Sequence, residues 1–579
     1  MRGSTPLGLI HLACALYLVF LSITSVNVAS GEAVQFDDPS QRTAVKEERL
    51  WRRSFPHVEV DHVPLSRLLG PLLEYRFLLP VDQLKAGVAY GGARRRLRHF
   101  VRALLNGHRV LKIGVVGGSI SWGEGASNIG TTDWFSLLAR WMIEAFPSSR
   151  ITARNGAVPA TPSSYMVMCL EQSVDPDVDL VLVEYSLNDG YADCIVDNDS
   201  TKPMERLLRR LLALPGKPAV IMMQVPMYGI AMEPDNPQHR EFYFTNEDVD
   251  AALAHYYDVP YLSLRTALYR LAALDRVPGW SWREMFRDFH PGDAGSHVMA
   301  DLVVHLLQVT AVELVMSYPW SADDAREPLR PLPPPMFPGN TSPDSPMCVV
   351  GEGFPPLVTE SRGFTFLNEA GNTTNTATIT TAITHSSSSS GAPPSVTQPR
   401  MKPKWGFVAN WLHPETQPQP RLVVQLDTRR PAALVPPEAQ VPLFVLHLRS
   451  YQHMGRAEIS CVSGCSCTPI LVDAHITEHV SQTYLARLNV TQAAVCEVAV
   501  TVLRETSSGQ RKFKVSGVVV SETGGDVTVL ERMSDTQGYW EVGRFHTGDL
   551  PMNEYGRANV DANGTAMDPR TAAVSSPPL

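Results

Sequence analysis

The chain has 579 residues, 44% of them hydrophobic and 19% charged, a globular composition with length for two or three domains. Its formal net charge of -9 gives no electrostatic reason to expect nucleic-acid binding. Beyond the N-terminus, no segment reads as long and apolar enough to cross a bilayer.

In chain order, Arg2 precedes an apolar run from Leu7 to Phe20 and the small residues Val28-Ala29-Ser30. This pattern predicts an export signal over residues 1–30, with an uncleaved signal anchor as the alternative. The expected location is outside the cell or in the secretory lumen, or type II anchored in the Golgi if the signal is kept. Sequons at Asn198, Asn340, Asn372, Asn489 and Asn563 could carry glycans only on that route. Residues 31–106 read as an N-terminal extension, in which Arg94-Arg95-Arg96-Leu97-Arg98 is expected to be a solvated helix face.

Between residues 107 and 318 apolar strands alternate with helical stretches. Strands are predicted at Val110–Val116, Ile151–Arg154, Leu180–Glu184 and Ala219–Gln224. Helices are predicted near Trp134–Ala145, Ser163–Gln172 and Met204–Leu214, with a last one from Gly295 to about Met316. The alternation indicates an α/β domain around a mostly parallel sheet. Proline crowds the next stretch, read as a linker over 319–346. Within a second domain expected over 347–545, the period shortens to two from about Lys402 to Arg532, in β-branched runs such as Leu422–Leu426, Leu443–Leu448, Val495–Leu503, Phe513–Val520 and Val527–Leu530. That predicts a β-sandwich-like domain with a Ser/Thr-rich disordered insert at about 371–400. Residues 546–579 read as a disordered tail.

Four short segments carry the chemistry. Gly117-Gly118-Ser119-Ile120-Ser121 follows the first strand. It lacks the spacing of a phosphate loop, and Ser121 breaks the lipase-type G-x-S-x-G elbow. Asn155-Gly156 follows the second strand, and Ser186-Leu187-Asn188-Asp189 follows the third. Asp288-Phe289-His290-Pro291 precedes the last helix. Each alone has a plain structural reading as a turn or a packed histidine. Together they place a serine, a glycine, an asparagine and a histidine in fixed order at strand ends or before the last helix.

This ordered set resembles the SGNH (GDSL-type) hydrolase family over about residues 110–315. The resemblance implies a three-layer α/β/α domain and assigns Ser119 as nucleophile and His290 as base. The N–H groups of Ser119 and Gly156 and the side-chain amide of Asn188 would form the oxyanion hole. The first block departs from the family pattern in having Gly118 where aspartate is common. The last block has Arg287 where the family acid commonly stands. Asp288 is therefore expected to orient His290, with Glu284 and Asp293 as fallbacks; His297 is read as structural. The implied reaction is acyl transfer from an ester to water, which requires no metal or organic cofactor.

Cys461, Cys465, Cys467 and Cys496 have a spacing that zinc could use in a reducing compartment. The export signal favours disulfides among them, with pairing left open. Cys169 and Cys194 flank the third block and are expected to pair, leaving Cys348 as the odd thiol. The β domain resembles those beside SGNH domains in algal and plant-like proteins, which makes O-acetyl groups on polysaccharide or glycan the leading substrate. The competing reading is a secreted carbohydrate-binding or cell-surface protein whose hydrolase domain is an inactive relic.

Overall fold

The computed structural model describes residues 70–522 except 71, 73, 108, 190–200, 227–240, 243–244, 288–289, 317–325, 344–345, 370–402 and 477–480. The expected signal segment, the sequons at Asn198, Asn372 and Asn563, Cys194, Asp288, the Ser-rich insert, the strand at Val527–Leu530 and the tail lie outside the described residues.

The first domain opens with α1 (Val81–Gly87), β1 (Val88–Tyr90), α2 (Arg95–Asn106) and β2 (Val110–Gly117). There follow α3 (Ser119–Trp122), α4 (Trp134–Ala145), β3 (Arg150–Asn155), α5 (Ser163–Cys169), β4 (Leu180–Glu184) and α6 (Thr201–Ala213). It closes with β5 (Ala219–Gln224), α7 (Asn246–Tyr257), β6 (Tyr261–Ser263), α8 (Leu264–Tyr269), α9 (Trp282–Met285) and α10 (Asp293–Met316). The sheet order is β1-β6-β5-β4-β2-β3. All pairings are parallel apart from β1 against β6. From β2 the chain goes first to β3 on one side and then to β4 on the other. The carboxyl end of β2 is thus a topological switch point, where open α/β sheets place their sites.

Every residue of β4 and β5 is buried, as expected for strands covered on both faces. Strand periodicity divides them between two cores. Leu180, Leu182 and Ile221 pack with α2, α4 and α10. Val181, Val183 and Met222 pack with α5, α6 and α7. The result is the expected three-layer α/β/α domain. The segment read as an extension supplies β1 and α2 to these layers. Its basic run is not a solvated face: Arg94 pairs with Glu313, and Arg96 donates to the Leu212 carbonyl at 2.8 Å. By length and composition α10 could cross a membrane, but 61% of its apolar window is buried inside the protein.

Residues 327–342 run along α6 and α7 with little regular structure. Their anchor is Glu205, a fully buried residue of α6. Its carboxylate accepts from Tyr257 Oη, the N–H groups of Met336 and Phe337, and Asn340 Nδ2. Asn340 is only 2% exposed, and this corrects its reading as a glycan acceptor: its amide is spent inside the fold. Asn489 is exposed.

The second domain has two antiparallel sheets. In chain order its strands are β7 (Met347–Val350), β8 (Val358–Arg362), β9 (Phe364–Asn368), β10 (Trp405–Asn410), β11 (Arg421–Leu426) and β12 (Val441–Ser450). They continue with β13 (Arg456–Ser463), β14 (Ile470–Asp473), β15 (Ser481–Val490), β16 (Cys496–Val502) and β17 (Lys512–Val520). One sheet runs β15-β12-β17-β10-β9, with β7 also on β17, and the other runs β14-β13-β16-β11-β8. Alternate residues of both sheets, such as Leu443, Val445, Val498 and Val500, fill one core.

The outer face of the first sheet does not meet solvent at Phe444, Leu446 and Val519. These residues pack on Tyr165, Met168 and Cys169 of α5. A disulfide joins Cys169 to Cys348, 179 residues apart. This corrects two expectations, the Cys169–Cys194 pairing and a free Cys348, because β7 brings Cys348 against α5. Cys461 pairs with Cys467 and Cys465 with Cys496. Such bonds form and persist in oxidising compartments, in the secretory pathway or outside the cell.

Candidate active site

Strand β2 ends at Gly117 and α3 begins at Ser119, so this serine stands at the switch point of the sheet. Its Oγ lies 2.8 Å from Nε2 of His290, across 171 residues of sequence. Both residues are 7% exposed. Backbone bonds hold His290 ahead of α10. Its carbonyl accepts from the Arg287 N–H at 3.0 Å, and Gly292 N–H donates to Met285 O at 2.8 Å. A hydroxyl and an imidazole at this separation can exchange a proton.

Asn188 sits just past β4, its N–H donated to Tyr185 O at 2.9 Å. Asn188 is 4% exposed, and neither amide atom has a hydrogen-bond partner among the described residues. It rests directly on residue 118. A Cβ there would lie 1.9 Å from Asn188 Oδ1, a separation that real atoms do not tolerate. The departure at Gly118 therefore has a local cause: glycine makes room for the amide.

Gly156 is brought to the same edge, but not in the expected role. Its N–H is donated to Val115 O at 2.9 Å, which continues the pairing of β3 with β2. The loop stays stitched to β2 at the next steps. Val158 N–H donates to Gly117 O at 2.9 Å, Asn155 Nδ2 donates to Ser121 O at 2.8 Å, and Pro159 has no N–H. Ala160, half-buried and with a left-handed φ of 59°, is the first residue after β3 whose N–H meets no acceptor among the described residues.

Below Ser119 lies a buried acidic layer. Glu184 Oε2 accepts from Ser121 Oγ at 3.0 Å, and Asp189 Oδ1 accepts from the Ser163 N–H at 2.6 Å. Burial pushes both carboxyls up to about 7. Asp250 is raised as well, chiefly by burial and then by the charge of Asp189.

Asp288 lies outside the described residues, and neither fallback acid is among the described contacts of His290. Glu284 closes a capping box with Ser281 at the start of α9. Asp293 accepts from Ser127 N–H, Ser127 Oγ and Thr132 Oγ1, which ties the loop after α3 to α10. His297 lies on α10, its Nε2 3.5 Å from Asp301. A residue the motifs did not mark is Glu124, whose Oε2 is 3.6 Å from His290 Nε2; nothing in its local sequence signals that contact. Among the described residues no three His, Cys, Asp or Glu side chains converge to hold a metal.

Residues 115–298 match the GDSL-like lipase/acylhydrolase family. The chain is similar in structure to a two-domain esterase active on acetylated mannans, with a TM-score of 0.52 and 18% identity, over 76% of this chain and 99% of that one. A two-domain esterase of the same kind, co-crystallised with mannopentaose, gives 0.51 and 18%, over 77% and 99%. At that identity the likeness is one of fold, and it extends over both domains. No curated protein matches the chain. The family match falls on the parallel-sheet domain, so residues 115–298 form a domain of the GDSL-like lipase/acylhydrolase (SGNH) type.

Proposed function

We propose that the chain hydrolyses O-acetyl esters on a polysaccharide or glycan, in the secretory pathway or outside the cell, with Ser119 as nucleophile and His290 as base. The observation that carries this reading is the 2.8 Å contact between Ser119 Oγ and His290 Nε2 at the switch point of the sheet. His290 takes the hydroxyl proton as Oγ attacks the ester carbonyl. The oxyanion is met by Asn188 Nδ2 and by the Ser119 N–H, one of the first-turn groups that a helix leaves unpaired. The third donor expected from the resemblance, the Gly156 N–H, is donated to Val115 O. His290 then protonates the leaving alcohol, and water, deprotonated by the same imidazole, cleaves the acyl-enzyme. Asp288, two residues before His290, remains the proposed orienting acid.

Three arguments support the substrate class and location. The similar two-domain esterase acts on acetylated mannans. The three disulfides need an oxidising compartment. Finally, the N-terminal 30 residues have the pattern of an export signal.

Ser119→Ala should reduce hydrolysis of an aryl acetate to background, a loss of about 10³-fold or more, with the melting temperature retained. Acetate release from acetylated mannan and other acetylated glycans tests the substrate class. Undiminished turnover by the variant would overturn the assignment of the nucleophile.

A further inference from the structure

We infer that Glu124 sets the charge selectivity on the alcohol side of the site, favouring esters of neutral, hydroxyl-rich alcohols over esters with a negative charge near the scissile oxygen. This inference rests on the esterase reading above. Glu124 Oε2 lies 3.6 Å from His290 Nε2, the atom that returns a proton to the departing alcohol. The carboxylate therefore borders the leaving group rather than the acyl group.

Its position is fixed from both sides. Glu124 N–H donates to Ser119 O at 3.0 Å. Gly125 follows with φ 95°, and a Cβ there would lie 2.6 Å from His290 Cβ. Beyond it, Ser127 is bound to Asp293 through N–H and Oγ. The backbone is thus clamped between the serine and histidine segments, while the side chain remains 41% exposed. Among the described residues the carboxylate has no hydrogen-bond donor, and its one ionic neighbour is His290. An ionised carboxylate only accepts hydrogen bonds. Sugar hydroxyls can donate to it, whereas a carboxylate or phosphate on the alcohol is repelled, with solvent damping the effect.

Two acetates test this with nearly the same leaving group, neutral methyl 4-acetoxybenzoate and anionic 4-acetoxybenzoate. The quantity read is the ratio of kcat/KM, neutral over anionic. Glu124→Gln should lower that ratio about fivefold to tenfold, mainly through KM for the anion, and Glu124→Lys should lower it further. Should one variant fail to fold, the other is compared with the unsubstituted protein over added salt, because a difference due to the charge at residue 124 should shrink as salt rises. A ratio that moves less than twofold in the folded variants, or a difference that ignores salt, overturns the inference while leaving the esterase reading intact. No turnover of either ester by the unsubstituted protein overturns both.

Discussion

Glu205 and Glu184 are both fully buried in the α/β domain, yet their surroundings differ sharply. Glu205 receives four donors, three of them from the segment that runs from α10 toward the β domain. Glu184 receives the Ser121 hydroxyl on Oε2, and its Oε1 has no partner among the described residues. Beside it Tyr185 Oη, Asp189 Oδ2 and both amide atoms of Asn188 are also buried without partners among the described residues. An unmet buried polar group costs about 1–3 kcal/mol, so the sheet edge under Ser119 carries a burden that the Glu205 anchor does not. The anchor is built for stability. The sheet edge keeps polar atoms and shifted carboxyls where a reacting group can use them.

The largest test of that contrast is Glu205→Ala. It strands two backbone N–H groups, an amide and a phenol, and should lower stability by about 4 kcal/mol, read by denaturant unfolding. A loss under about 1 kcal/mol would mean that the strap holds without its anchor. Asn188→Ala should show the opposite pattern. Removing an oxyanion donor raises the barrier by about 3 kcal/mol, a 10²–10³-fold fall in kcat, while the melting temperature holds or rises because an unmet amide is gone. A destabilised variant with normal kcat would place Asn188 with the structural groups instead. Replacing Cys169 and Cys348 together by serine probes the helix between these regions, since α5 is covered by the β domain on one side and starts beside Asp189. A loss of about 2 kcal/mol is expected, at the low end for a disulfide because Phe444, Leu446 and Val519 still pack on the helix. Unchanged stability would show that packing alone holds the two domains together.

How far the sequence could be read follows the range of each interaction. Strands β2 to β5 and helix α4 were visible because long apolar runs and helical spacing are local signals. The three-residue strands β1 and β6 were not, since their pairing comes from the sheet and not from propensity. Ser119 and Asn188 carry motifs at strand ends and His290 one before the last helix, and the fold brings the serine and histidine into contact. Gly156 carries one too, but the use of its N–H is decided by the register of β3 on β2, which no motif encodes. Cys169 pairs with a partner 179 residues away, and nearness in sequence pointed to the wrong cysteine. Glu124 had no signal at all, because its neighbour His290 arrives from the far end of the domain.

The smallest expected effect concerns pH. Burial raises Glu184 from its ordinary 4.5 to about 7, so between those values the folded chain holds a proton that the unfolded chain has released. The unfolded state then binds fewer protons, and stability falls as pH rises. The contribution is complete below about 4.5 and lost by pH 7 and above. Glu184→Gln keeps the acceptor for Ser121 Oγ but cannot titrate. The unsubstituted protein should therefore lose more stability between pH 5 and pH 8 than the glutamine variant does. The difference should be at most about 2 kcal/mol, and Asp189, raised to about 7 by the same burial, titrates in both proteins and so cancels from it. Parallel melting curves across that range would show that Glu184 is met by donors as fully as Glu205, and the contrast between the two sites would then rest on Asn188 alone.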